Sequence, residues 1–141
     1  MRNSAVLINL FLYIALVACV KNIRNNLDYL NGYWQVEEVK EKGETFSLSN
    51  RSLLYDYYSF DQKKGFRKKL RPLFDGTFET SADLTNFEFD FTDKKVKLKF
   101  ITPWNEWIEE IILVNQNTLV LQHQGRTYHY KRVTNINLID E

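Results

Sequence analysis

The run NFEFDFTDKKVKLKF, residues 86–100, leaves a chain few options. Phe87, Phe89 and Phe91 alternate with Glu88 and Asp90, and Val96, Leu98 and Phe100 alternate with Lys95, Lys97 and Lys99. Alternation of period two is the pattern of a half-buried strand, whose successive side chains point to opposite faces. The intervening Thr92-Asp93-Lys94 is short enough only for a turn. The run therefore predicts an antiparallel hairpin with one apolar and one charged face.

The same alternation recurs more weakly along the chain. It predicts strands near residues 33–40, 54–61, 66–70, 74–80, 107–114, 118–122 and 127–133, with Gly43, Gly65, Gly76 and Gly125 at or near their boundaries as turns or bulges require. After the N-terminal segment, helical periodicity is confined to a single turn at 27–30. Ten Phe, eight Tyr and three Trp supply ample core. About nine short strands with few crossovers make an all-β domain, either an up-and-down barrel or a sandwich.

Two motifs favour the barrel. Gly32-Tyr33-Trp34 opens the first strand, and the last strand, TYHYKR, ends in Arg132. This resembles the lipocalin family, whose signature is Gly-x-Trp on the first strand and an arginine near the end of the last. The resemblance is closest to the short lipocalin-like domains of bacterial lipoproteins. It implies one antiparallel barrel of about eight strands over residues 27–133, closed at the bottom by Gly32, Trp34 and Arg132, with the guanidinium lying across the indole. It also implies non-covalent binding of a small hydrophobic ligand. Candidate lining residues are Phe60, Phe78, Phe87, Phe89, Leu98, Phe100, Leu121 and Tyr130, with Trp104, Trp107 and His123 as further candidates. An eight-stranded barrel is just wide enough either to hold one small ligand or to be filled by its own side chains. The second case would make the chain a structural or interaction protein with an envelope protein as partner.

The N-terminus points to location. Arg2 precedes an apolar run from Ala5 to Val17 broken only by Asn9, the layout of a signal peptide. The run is about a dozen residues, whereas a spanning helix needs roughly 20. Leu16-Val17-Ala18-Cys19 resembles the bacterial lipobox, which implies that Cys19 is acylated and becomes the first residue of the mature protein. The expected division is a signal peptide at 1–18, a lipidated tether at 19–26, the barrel at 27–133 and a tail at 134–141. Val20 after the cysteine, by resemblance to the enterobacterial sorting rule, favours the outer membrane facing the periplasm. Cys19 is the only cysteine, so its acylation leaves no disulfide, thiolate metal site or cysteine nucleophile.

Charge and spacing exclude several functions. Without Arg2, basic and acidic residues balance at 18 each, a poor match to nucleic acid, whose binding needs a basic surface. His123 and His129 flank a turn expected at Gly125-Arg126, with His123 facing Tyr128 and Gln122 facing His129. That register points the imidazoles to opposite faces, where they cannot share a metal. An inward His123 is expected as a hydrogen-bonded residue, and His129 as a solvent-facing one. Glu109 and Glu110 point apart, unlike a glycosidase pair. No catalytic constellation emerges, so the expectation is a non-enzyme without cofactor or metal. The run KKGFRKKLR, residues 63–71, reads as a lipid-facing basic patch or as a solvated hairpin with Phe66, Lys68 and Leu70 on its apolar side. Trp104 and Trp107 in TPWNEW either gate a barrel mouth or plug one end.

Overall fold

The computed structural model describes residues 22–48 and 55–136. Nine antiparallel strands follow in order: β1 (Gly32–Glu41), β2 (Glu44–Ser47), β3 (Tyr55–Asp61), β4 (Lys64–Pro72), β5 (Phe78–Asp90), β6 (Lys97–Ile101), β7 (Glu106–Val114), β8 (Thr118–His123) and β9 (Arg126–Val133). From β3 onward each strand pairs with its successor, and β9 pairs back with β1, from Tyr33 opposite Val133 to Glu41 opposite Arg126. The sheet is thus a closed barrel. β2 pairs with residues 38–41 of β1 and β3 with residues 32–35, while β9 occupies the other edge of β1. β2 and β3 therefore share one place in the wall, which has eight strand positions.

Alternation carries the expected faces inward. Leu98 and Phe100 on β6 are fully buried, as are Phe87 and the nearby Val96, and Phe89 almost so. Where the alternation breaks, a bulge repairs it. Val36 lies opposite Tyr130 but Glu38 opposite His129, so Glu37 is an extra residue that brings both Val36 and Val39 onto the core side. The inner aromatics meet mostly edge to face: Phe87 lies 5.5 Å from Phe89 and 5.6 Å from Phe100, and Phe60 lies 5.0 Å from Phe89 between ring centroids. Such pairs add about 0.5–1.5 kcal/mol each beyond their buried area. Gly65 faces the same cluster. A Cβ there would sit 2.5 Å from the Phe60 Cβ and 2.6 Å from the Phe87 ring, so only glycine leaves room for both phenylalanines.

Three sequence expectations need correction. The stretches at 74–80 and 86–91 belong largely to one strand, β5, because three of its residues, 81–83, oppose only Lys69 and the ladder continues across this bulge. The β8–β9 turn is Gln124-Gly125, both at positive φ (48° and 79°), and it pairs His123 with Arg126 and Leu121 with Tyr128. Two consecutive positive φ values suit the right-handed twist of a two-residue hairpin. The tether segment is also not wholly apart from the barrel. Residues 22–25 form a helical turn, Ile23 joins the core, and Arg24 lies 5.0 Å over the Phe91 ring. Among the described residues no helix is long and apolar enough to cross a membrane.

Candidate functional site

The two ends of the barrel differ. At one end the 3-10 turn Leu27–Leu30 folds underneath, with Leu30 fully buried. Trp34 is likewise fully buried, and its Nε1 donates to the Leu30 carbonyl at 2.9 Å. Arg132, opposite Trp34 in the ladder, places its guanidinium carbon 4.3 Å from the indole centroid. Its nitrogens donate to the carbonyls of Asn31 at 3.0 Å, Gln116 at 2.5 Å and Tyr29. One cation therefore ties the bottom turn to the β7–β8 loop. Gly32 makes this possible: its φ is +128°, and a Cβ would sit 2.5 Å from an Arg132 nitrogen. Strand direction puts the turns at 42–43, 73–77, 102–105 and 124–125 together at the opposite end.

Between these ends lies a polar cluster inside the wall. Arg67 on β4 and Glu109 on β7 are side-chain exposed by only 11% and 10%, and one Arg67 nitrogen donates to both Glu109 oxygens, at 3.1 and 3.3 Å. The Trp107 Nε1 donates to Glu109 at 2.9 Å. The Arg67 guanidinium lies 4.3 Å over the Phe100 ring, which in turn stacks on Trp107 at 5.0 Å. The Tyr58 hydroxyl accepts from Arg67 at 3.4 Å. Burial, the largest influence, pushes the Tyr58 phenol far above its ordinary pKa, with Arg67 opposing and Asp56 and Glu109 adding. Tyr130 is raised for the same leading reason, so both phenols stay neutral hydroxyls. Burial opposes the charge on Arg67, but Tyr58, Glu109 and Asp56 more than offset it.

Asp56 completes the cluster. It shares the inner face of β3 with Tyr58, is fully buried, and lies opposite Lys69 in the ladder. Lys69 Nζ lies 2.6 Å from Oδ1 but is not aligned for a hydrogen bond, and among the described residues neither carboxylate oxygen has a hydrogen-bond partner. The Lys69 side chain is itself 56% exposed.

The sequence candidates divide accordingly. Phe60, Phe87, Phe89, Leu98, Phe100, Leu121 and Tyr130 converge in one cluster, with Trp107 packed against it. His123 is half-buried, and its Nδ1 donates to the Ile108 carbonyl at 2.9 Å, since a carbonyl can only accept. His129 lies 3.9 Å from Glu38. Two candidates lie elsewhere. Phe78 packs edge-on against Tyr55, on the face opposite Asp56: it lies an odd number of residues from the inward Phe87 on the same strand, and the two extra residues of the β5 bulge leave the alternation unchanged. Trp104 is 93% exposed in the β6–β7 loop, so it neither lines nor plugs the interior. Cys19 lies outside the described residues.

The basic run also differs from expectation. The inner face of β4 is Gly65, Arg67 and Lys69, because these lie opposite the inward Phe60, Tyr58 and Asp56; Phe66, Lys68 and Leu70 point outward. Lys64 pairs with Glu88 and Arg71 with Glu79, so with Arg67 and Lys69 four of its cations have carboxylate partners. The sequence reading missed Asp56, Tyr58, Arg67 and Glu109. A signal existed in Trp107-x-Glu109-x-Ile111, which places an acid on an apolar face and so requires an internal cation.

The family model described as lipocalin-like domain matches residues 30–121. A lipocalin-like protein from Bacteroides uniformis is 12% identical over 74% of this chain and 99% of its own, with a TM-score of 0.48. Lobster apocrustacyanin A1 is 15% identical over 84% of this chain and 69% of its own, with a TM-score of 0.51, a likeness of fold alone. No curated protein matches the sequence.

Proposed function

The chain belongs to the lipocalin-like domain family, and on that premise we propose that it is a non-catalytic protein that takes one small hydrophobic ligand into its barrel. The observation that carries this reading is the inequality of the ends. One is sealed by Leu30, Trp34 and Arg132, whereas the other is ringed by loops. A vessel with one sealed end and an aromatic interior suits an apolar guest entering from the loop end. Val39, Leu48, Trp107 and Tyr128, only partly buried against the core, offer it apolar contact.

A second reading is favoured by the packing. Trp34, Tyr58, Phe87 and Phe100 are each less than 2% exposed, which suits a barrel filled by its own side chains and working through an envelope protein partner. Native mass spectrometry of the full chain, gently purified and then delipidated, separates the two. The ligand reading expects an added mass the size of a single-chain lipid, lost on delipidation and regained from a lipid extract. A bare mass without uptake would assign the chain to the second reading.

The location we propose is the cell envelope, with Cys19 acylated and the barrel held at the outer membrane facing the periplasm. Support comes from the apolar run and the Leu-Val-Ala-Cys sequence. Several acyl chains, each buried CH₂ adding ~0.8 kcal/mol, would make such an anchor durable. A palmitate analogue fed to expressing cells is expected to label the wild type and spare Cys19→Ser. Equal labelling of both would remove the anchor.

A further inference from the structure

We propose that Asp56 receives the head of the barrel's ligand, and that this head is a hydrogen-bond donor, an ammonium or a hydroxyl, on an otherwise apolar chain. The inference rests on the ligand-binding reading above and adds the chemical class. It starts from an imbalance among the buried polar groups. Arg67 and the Trp107 N–H are committed to Glu109, and Tyr58 accepts from Arg67. Asp56 is fully buried, and among the described residues neither of its oxygens is hydrogen-bonded. A buried carboxylate left so is costly unless a donor or cation reaches it.

Lys69 is the resident substitute. Its ammonium contacts one oxygen only, and more than half of its side chain faces solvent, so it can withdraw as a guest's donor arrives. With Lys69 withdrawn, Asp56, Glu109 and Arg67 leave the cluster one negative charge. That charge attracts a cationic head and repels a carboxylate. A fatty acid would also find its natural partner, Arg67, already engaged at both Glu109 oxygens. The head would thus lie deep, at Asp56, and the chain would run toward the loop end past Val39 and Tyr128, which face each other in the ladder.

The test offers the full chain an equimolar mixture of dodecylamine, dodecan-1-ol and dodecanoate and reads occupancy by native mass spectrometry. Wild type is expected to take amine or alcohol over acid by roughly tenfold, the winner distinguishing a charged from a neutral head. Asp56→Asn should reduce the preference for amine over acid toward parity. Lys69→Met should raise amine occupancy by removing its competitor, and Lys69→Gln, which keeps a neutral donor beside the buried Asp56, reads the same change if the methionine variant fails to fold. Binding without head preference, binding that favours the acid, or an amine occupancy unmoved by Lys69→Met would overturn this inference while leaving ligand binding intact. Failure of all three compounds to bind would overturn both.

Discussion

Replacing Arg67 with methionine is expected to lower the free energy of unfolding by about 3–5 kcal/mol, because it strands the Glu109 carboxylate inside the wall. The two side chains are only 11% and 10% exposed, so water cannot take over the role of the lost cation. Domains of this size are stable by only about 5–15 kcal/mol, so the change removes a large share of the total. The double variant Arg67→Met with Glu109→Leu is expected to recover most of the loss, since neither charge then remains. Recovery should be incomplete, because the Trp107 N–H loses its acceptor, at about 1–3 kcal/mol. Urea unfolding at unchanged slope reads all three proteins. Equal losses in the single and double variants would mean that Arg67 and Glu109 do not act as a pair.

Trp34→Ala is expected to cost a similar 3–5 kcal/mol, the usual range for emptying a fully buried aromatic site. The indole does more than fill space. It holds Leu30 through its N–H and carries the Arg132 guanidinium on its face. Trp34→Phe separates these contributions: it keeps a ring beneath Arg132 and leaves the Leu30 carbonyl without its donor, at about 1–3 kcal/mol. The alanine variant should also free the segment around Ile23 and Leu30, making it cleavable by protease under native conditions. An unchanged unfolding midpoint for Trp34→Ala would refute the role of the indole as the closing group.

Much of this architecture could be read from the chain because the informative strands keep their two faces chemically distinct. Phe87 and Phe89, set against Glu88 and Asp90, have one inward solution, and the structure adopts it. Trp34 and Arg132 were legible for another reason: Gly-x-Trp on the first strand with an arginine near the end of the last resembles the lipocalin signature, and the structure brings the two together beside Gly32. β4 defeated the same reasoning. Phe66 and Leu70 looked like its inner face, but Phe87 fills the space beside Gly65, and two cations take the remaining inner positions opposite Tyr58 and Asp56. Hydrophobicity alone cannot identify an inner face occupied by a glycine and paired charges. The one-residue bulge at Glu37 changes facing within β1, and it does not follow from period-two counting. Arg67 and Glu109 lie on strands that do not adjoin, so no hairpin in the sequence announced their meeting.

The pairing of β1 with β9 also sets the order of events when the chain folds. Every other pairing joins consecutive strands or, for β1 and β3, strands separated only by β2, and so closes a much shorter loop. The final one brings Tyr33 to Val133, and the entropy of closing so long a loop must be met before its hydrogen bonds form. Until then both strands are bare edges, able to pair with those of another molecule. The speed of that last closure, on a scale of roughly milliseconds to seconds for such topologies, therefore governs how long a newly made chain is exposed to aggregation.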